Sequence, residues 1–169
     1  SLGWDEASKE MARKLAYHGF ITISPDLHHR ERRTLPVGAA HADVQAAVRT
    51  AGGVPDARCI ADVEGAIRFL RCLPYSNGKL GVIGFCSAGR QAFLVACNIK
   101  GLDAAVDGYG GDVQRINPLQ PVALVDMAAN LGCPLLGLFG DEDLWPSPAE
   151  VAATEEALRH HNKVYEFHM

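Results

Sequence analysis

The sequence predicts an α/β fold, a mostly parallel sheet flanked by helices, and three observations support this. Segments with apolar residues three and four apart alternate with short apolar runs, and glycine, proline and asparagine mark the boundaries. Strands that alternate with helices pair in parallel through right-handed crossovers. At 169 residues, 48% hydrophobic and 21% charged, the chain has the length and composition of one globular domain with its own core. Residues 1–169 are therefore read as a single domain. It is expected to be incomplete at both ends, since the sequence opens directly into a helix and closes on a strand.

Residues 5–18 place Ala7, Met11 and Leu15 on one helical face, with Asp5 as a candidate N-cap and Gly19 as the stop. Phe20–Ser24 reads as a short buried strand that Pro25 ends. From Pro25 to Pro55 the periodicity weakens. A basic cluster at 28–33 precedes a small helix within 37–53 that Gly52 and Gly53 close, and the length of this stretch suggests a lid or binding loop as readily as a solvated excursion. Residues 56–73 return to a clean helical period through Ile60, Val63, Ile67 and Leu70, with Asp56 as a cap, and 74–78 is a turn. The remainder is predicted as strand 79–85, helix 87–98, strand 104–107, a helical turn at 123–129, strand 134–139, helix 148–161 and strand 164–168.

Composition excludes several functions. A net charge of −4 argues against a dedicated nucleic-acid or anionic-membrane binder. No run of 18 apolar residues is present, and the first ten residues lack the basic start and apolar stretch of a signal peptide. The five cysteines are odd in number and show no C-x-x-C spacing. No disulfide framework or metal site is expected, and a cytoplasmic location fits best.

Chemistry concentrates in Gly81–Arg90, GVIGFCSAGR, where an apolar strand runs through small residues straight into a helix. This is a nucleophile-elbow pattern with Cys86 at the turn. A sharp turn of this kind leaves no room for side chains two residues before and after it, which explains Gly84 and Ala88. The helix that follows points its N-terminus at Cys86, favouring negative charge on the sulfur and on a developing oxyanion. The Ser87 N–H is the natural oxyanion donor. The competing interpretation is a glycine-rich turn around a buried, inert cysteine. A second signal is Phe139–Asp143, FGDED, after another apolar strand, since catalytic groups in open parallel sheets gather at the carboxyl ends of strands.

These residues resemble the dienelactone hydrolase family of the α/β-hydrolase superfamily. The similarity is strongest over Pro74–Cys97 and continues in Ser24–Leu27, in residues 62–70 and in GLFGDEDLWPSP at 137–148. The resemblance implies an α/β-hydrolase fold, here lacking N-terminal strands and the C-terminal end. It also implies a Cys–His–Asp triad acting on a small ester or lactone without metal or organic cofactor. Cys86 takes the place of the nucleophile and Asp143, rather than Asp141, that of the acid. Ser87 and a residue near Ser1 supply the oxyanion N–H groups, and Tyr109 and Trp145 fall near positions that line the family's pocket.

Three features depart from the family pattern. Ala88 replaces a glycine, which the elbow tolerates. Arg90 replaces a small residue, so it either alters helix packing or reaches the pocket. The resemblance implies a triad histidine in a loop just after the strand aligned with Lys163–Met169, so it is expected beyond Met169; none of the seven histidines is placed to serve Cys86, and His168 lies within the last strand. The basic residues Arg30, Arg32 and Arg33 are candidates to attract an anionic substrate. An amidotransferase-type cysteine elbow fits poorly, as no histidine lies between His41 and His160. The remaining alternative is a hydrolase-like binding module without a complete triad.

Overall fold

A computed structural model describes residues 6–169, which divide into two units, residues 6–78 and residues 79–169. The first is helical. Helix α1, Glu6–Tyr17, forms where the periodicity predicts it. It ends in a Schellman motif: Gly19 adopts φ 90° and donates to Ala16 O at 3.0 Å, and Phe20 N donates to Leu15 O at 3.2 Å. The proposed cap Asp5 lies outside the described residues. The predicted apolar face is not buried, since Ala7 and Met11 are exposed and Leu15 only half-buried. Phe20–Ser24 is not a strand either. A strand exists only by pairing, and no ladder reaches this segment among the described residues. Phe20, Ile21 and Ile23 remain 62%, 43% and 41% exposed.

Short helix α2, His29–Arg32, and helix α3, His41–Thr50, occupy the stretch of weak periodicity. Gly52 at φ 80° and Gly53 close α3 through bonds to Arg49 O and Val48 O. Helix α4 spans Asp56–Arg71, with Pro55 rather than Asp56 at the cap position. Arginine–carboxylate pairs fasten residues 26–32. Arg30 grips Asp62 through both carboxylate oxygens at 2.7 and 2.9 Å, Arg58 grips Glu31 at 2.6 and 3.2 Å, and Arg32 reaches Asp26 at 3.2 Å.

The second unit carries the sheet. Strands β1 (Gly81–Phe85), β2 (Ala104–Gly108), β3 (Leu135–Leu138) and β4 (Tyr165–His168) lie in the order β1-β2-β3-β4, all parallel. The crossovers are helix α5 (Ser87–Asn98), a 3-10 helix at Leu124–Asn130, and helix α6 (Pro148–His160). Helix α5 packs on β1 and β2, and the 3-10 helix packs against both α5 and α6. Phe93, Leu94, Leu124, Leu135 and Leu158 are fully buried there. Ser147 caps α6 in a reciprocal box: its hydroxyl accepts from Glu150 N, and its own N–H donates to Glu150 Oε2 at 2.8 Å. At the amino edge, Asp103 accepts from Leu80 N at 2.9 Å and from Lys79 Nζ at 2.8 Å, joining the starts of β1 and β2.

Candidate active site

The strands end together. Phe85, Gly108, Leu138 and His168 form one row of the ladder, and the next residue of each strand stands at the carboxyl edge. Cys86 follows Phe85 with φ 58° and ψ −130°, a conformation that side-chain-bearing residues seldom adopt. Three hydrogen bonds hold it there. Its N–H donates to Gly108 O at 2.8 Å, and its carbonyl accepts from Gly89 N at 2.8 Å and Arg90 N at 3.3 Å. The turn is so tight that a Cβ on Gly84 would lie 1.9 Å from the Ala88 carbonyl oxygen, so the glycine two residues before the cysteine is sterically required. Cys86 is half-buried and occupies the N-cap of α5. Ser87 is the first helical residue, so its N–H belongs to the opening turn of α5.

Beside it, Tyr109 continues β2, donating its N–H to Leu138 O at 2.8 Å. Its φ is 44°, its ring tilts against Phe85 with centroids 6.1 Å apart, and its side chain remains 45% exposed. The segment 109–112 passes directly over the first turn of α5: a Cβ on Gly110 would lie 2.2 Å from Arg90 N. Arg90 does not reach solvent. It is buried beneath this segment and donates through Nε to Asp112 O at 3.4 Å, so its size is absorbed by packing. Asp107, in the row of Gly84 and Gly137, is also buried. Burial pushes its carboxyl up to about 6, against the lowering effect of the hydrogen bond from Gly110 N. Nothing in the sequence reading singled it out.

After β3 the chain turns through Gly140–Asp143. Asp141 is exposed and Asp143 half-buried, with Asp143 Oδ1 accepting from Trp145 N at 3.2 Å. The Trp145 ring lies over Gly111, 3.0 Å from the position a Cβ would take there, and is 51% exposed. Cys86, Ser87, Tyr109, Asp143 and Trp145 therefore share the carboxyl edge of the sheet. Ser1 lies outside the described residues. Two strand spacings, about 10 Å, separate the ends of β1 and β3.

No histidine of residues 79–169 fills that space. His168 ends β4, three spacings or about 14 Å from β1, and its Nε2 is engaged with Glu166 Oε1 at 2.7 Å. His160 and His161 stand at the opposite end of α6. Cys97 and Cys133 are buried, and burial pushes the Cys97 thiol up to about 12 and the Cys133 thiol up as well. Cys59 is buried too. Cys72, one residue past the last turn of α4, is exposed. The basic segment is committed to structure rather than open to an anion: Arg30 is held by Asp62 and Arg32 by Asp26, leaving Arg33 exposed. Hydrogen bonding from Arg30 holds the Asp62 carboxyl below its usual range. Glu31, which burial alone would raise, is held down by Arg58. Among the described residues no helix is long and apolar enough to cross a membrane.

The chain matches the dienelactone hydrolase family over residues 1–169. It is 31% identical over 166 residues to "Putative carboxymethylenebutenolidase" of Methylorubrum extorquens, covering 98% of this chain and 56% of that protein. It is 39% identical over 97 residues to "Carboxymethylenebutenolidase" of Pseudomonas putida, covering 57% of this chain and 37% of that one. The crystal structure of a "Putative Dienelactone Hydrolase" from Klebsiella pneumoniae superposes with a TM-score of 0.86 at 28% identity, covering 99% of this chain and 68% of that chain. The chain thus spans a little over half the length of the first of these relatives.

Proposed function

The chain belongs to the dienelactone hydrolase family, and from that premise we propose that the whole protein hydrolyses a small ester or lactone through Cys86. The observation that carries this is the elbow itself, a non-glycine residue at φ 58° bearing a thiol, placed at a helix N-terminus by a glycine that nothing larger can replace. The Cys86 sulfur attacks the acyl carbon, the Ser87 N–H stabilises the tetrahedral oxyanion, and the C–O bond breaks to release the alcohol or open the ring. Water then cleaves the thiol ester, giving the acid and restoring the thiol. Asp143 orients the base, a histidine expected beyond residue 169, in the tautomer that takes the thiol proton. Tyr109 and Trp145 border the acyl pocket. No metal or organic cofactor enters these steps.

The test is an activated ester and a lactone presented to the full-length protein and its Cys86→Ala variant. Turnover should fall by about 10³-fold or more in the variant. Rapid quenching of the native protein should show the acyl mass on the peptide containing Cys86. If the variant folds and turns over at the native rate, the nucleophile assignment is wrong. If neither protein turns over and neither is acylated, the binding-module alternative is favoured.

A further inference from the structure

The group left unused by these steps is Asp107. A carboxylate is an unusual occupant of a strand otherwise reading AAV, and the structure makes space for it on two sides. A Cβ on Gly89 would lie 2.4 Å from Asp107 Oδ1, and one on Gly110 would lie 2.5 Å away. Gly89 belongs to the first turn of the nucleophile helix α5. Gly110 belongs to the segment 109–112 that carries Tyr109 and supports Trp145 through Gly111. The carboxylate thus sits in the angle between the two pieces and accepts from Gly110 N at 2.8 Å. Val113, Phe139, Pro146, Glu150, Val151 and Thr154 line the rest of its niche. At the far end of the same segment, the Arg90 guanidinium holds Asp112 O from below. Tyr109 and Asp112, at φ 44° and 61°, are both in the left-handed region, so this segment holds a conformation that its own residues do not favour.

We infer that Asp107 is a positioning residue: its carboxylate keys segment 109–112 to the first turn of α5 and so sets where Tyr109 and Trp145 stand at the carboxyl edge of the sheet. This rests on the proposed pocket at the carboxyl edge. It adds that the pocket wall is fixed by a buried carboxylate that never touches substrate. The hydrogen bond from Gly110 requires an acceptor, which an amide oxygen also provides, whereas an isosteric apolar residue does not.

The experiment uses the full-length protein with Trp4→Phe, so that Trp145 is the one tryptophan of residues 1–169. Asp107→Leu should raise KM for an activated ester by about tenfold while kcat stays within about threefold, and should shift the Trp145 emission maximum. Asp107→Asn should bring both back to the native values. A folded Asp107→Leu variant with native KM and native emission overturns the inference, as does an Asp107→Asn variant no better than leucine. Should the leucine variant not fold, the decision passes to the native protein. The Gly110 amide proton should move downfield as Asp107 ionises with a midpoint near 6, and an unchanged Gly110 signal between pH 5 and 8 overturns the inference. Other charged groups packed nearby are Arg90 on α5, Glu150 on α6 and Asp112 in the segment. Gly110 separates their effect from that of Asp107, because its N–H is bonded to the Asp107 carboxylate. Emission and amide shift do not depend on turnover, so failure of the cysteine mechanism and failure of this inference are distinguishable.

Discussion

Residues 6–78 and 79–169 each carry a thiol at a helix end that reaches solvent, and the two ends are of opposite sign. Cys72 caps the C-terminus of α4, where unsatisfied carbonyls gather about half a negative charge. Cys86 caps the N-terminus of α5, where N–H groups gather about half a positive one. Exposure favours Cys72 and electrostatics favours Cys86. The backbone distinguishes them further: Cys72 has ordinary helical angles, whereas Cys86 is held at positive φ by three hydrogen bonds and a glycine. The same contrast extends to the carboxylates. In residues 6–78 the half-buried Glu31 and Asp62 are neutralised by arginines, so their chemistry serves to fasten one helix to another. In residues 79–169 Asp143 lies beside the sheet's edge and Asp107 is buried beneath it. A reactive group needs placement by backbone geometry as well as a suitable side chain, and only the second unit provides it.

The largest effect expected from breaking this contrast lies in the loop after β3. In the full-length protein, Asp143→Asn should lower kcat/KM by about 10² to 10⁴-fold, as loss of a group that orients a base does. Asp141→Asn and Asp62→Asn should each stay within about threefold. Steady-state kinetics on one activated ester decides this, with circular dichroism to establish folding. Equal losses from Asp141→Asn and Asp143→Asn would remove Asp143 from the triad.

Glycines sharpen the comparison next. Gly65 lies in the middle of α4 with nothing within 4 Å of the position a methyl group would take, so Gly65→Ala should stabilise by about 0.5–1 kcal/mol. Gly84→Ala should destabilise by about 3 kcal/mol or more, because its methyl meets backbone atoms that cannot move without opening the elbow. Urea midpoints at constant slope measure both. A neutral Gly84→Ala would mean that the turn at Cys86 is looser than described.

The two regions also differ in how much of them could be read from sequence. Every strand predicted within residues 79–169 is found, shorter by one or two residues in most cases, and the elbow was legible because only glycine satisfies its steric demand at position 84. Phe20–Ser24 carries the same apolar signature as those strands yet forms none, because pairing is a property of the partner as well as of the segment. The pairs Arg30–Asp62 and Arg58–Glu31 join residues 32 and 27 positions apart, a separation on which local pattern is silent. Two further signals stand in the sequence. The aspartate inside AAVDG marked a buried charge, and S-x-x-E at 147–150 marked the capping box of α6. The role of Asp143 over Asp141 rests on family resemblance rather than on any physical mark in the sequence.

The smallest effect is also the most direct test of the two helix ends. Limited alkylation of the folded protein should label Cys86 and Cys72 well before the rest, since Cys59, Cys97 and Cys133 are buried and the Cys97 thiol, pushed up to about 12, stays protonated at neutral pH. Between the two accessible thiols, exposure alone would make Cys72 the faster. Iodoacetamide, which is neutral, senses access. Iodoacetate, which is anionic, is in addition attracted to the N-terminus of α5 and repelled from the C-terminus of α4. The Cys86-to-Cys72 labelling ratio should therefore be higher for iodoacetate than for iodoacetamide, by about three- to tenfold at low ionic strength, and the gap should narrow as salt screens the helix ends. Peptide mass after brief exposure gives both ratios from one sample. If the two reagents give the same ratio at low salt, the N-terminus of α5 exerts no useful field at Cys86, and the oxyanion role given to Ser87 fails with it. If Cys97 labels before Cys86, the elbow is not open to a small electrophile.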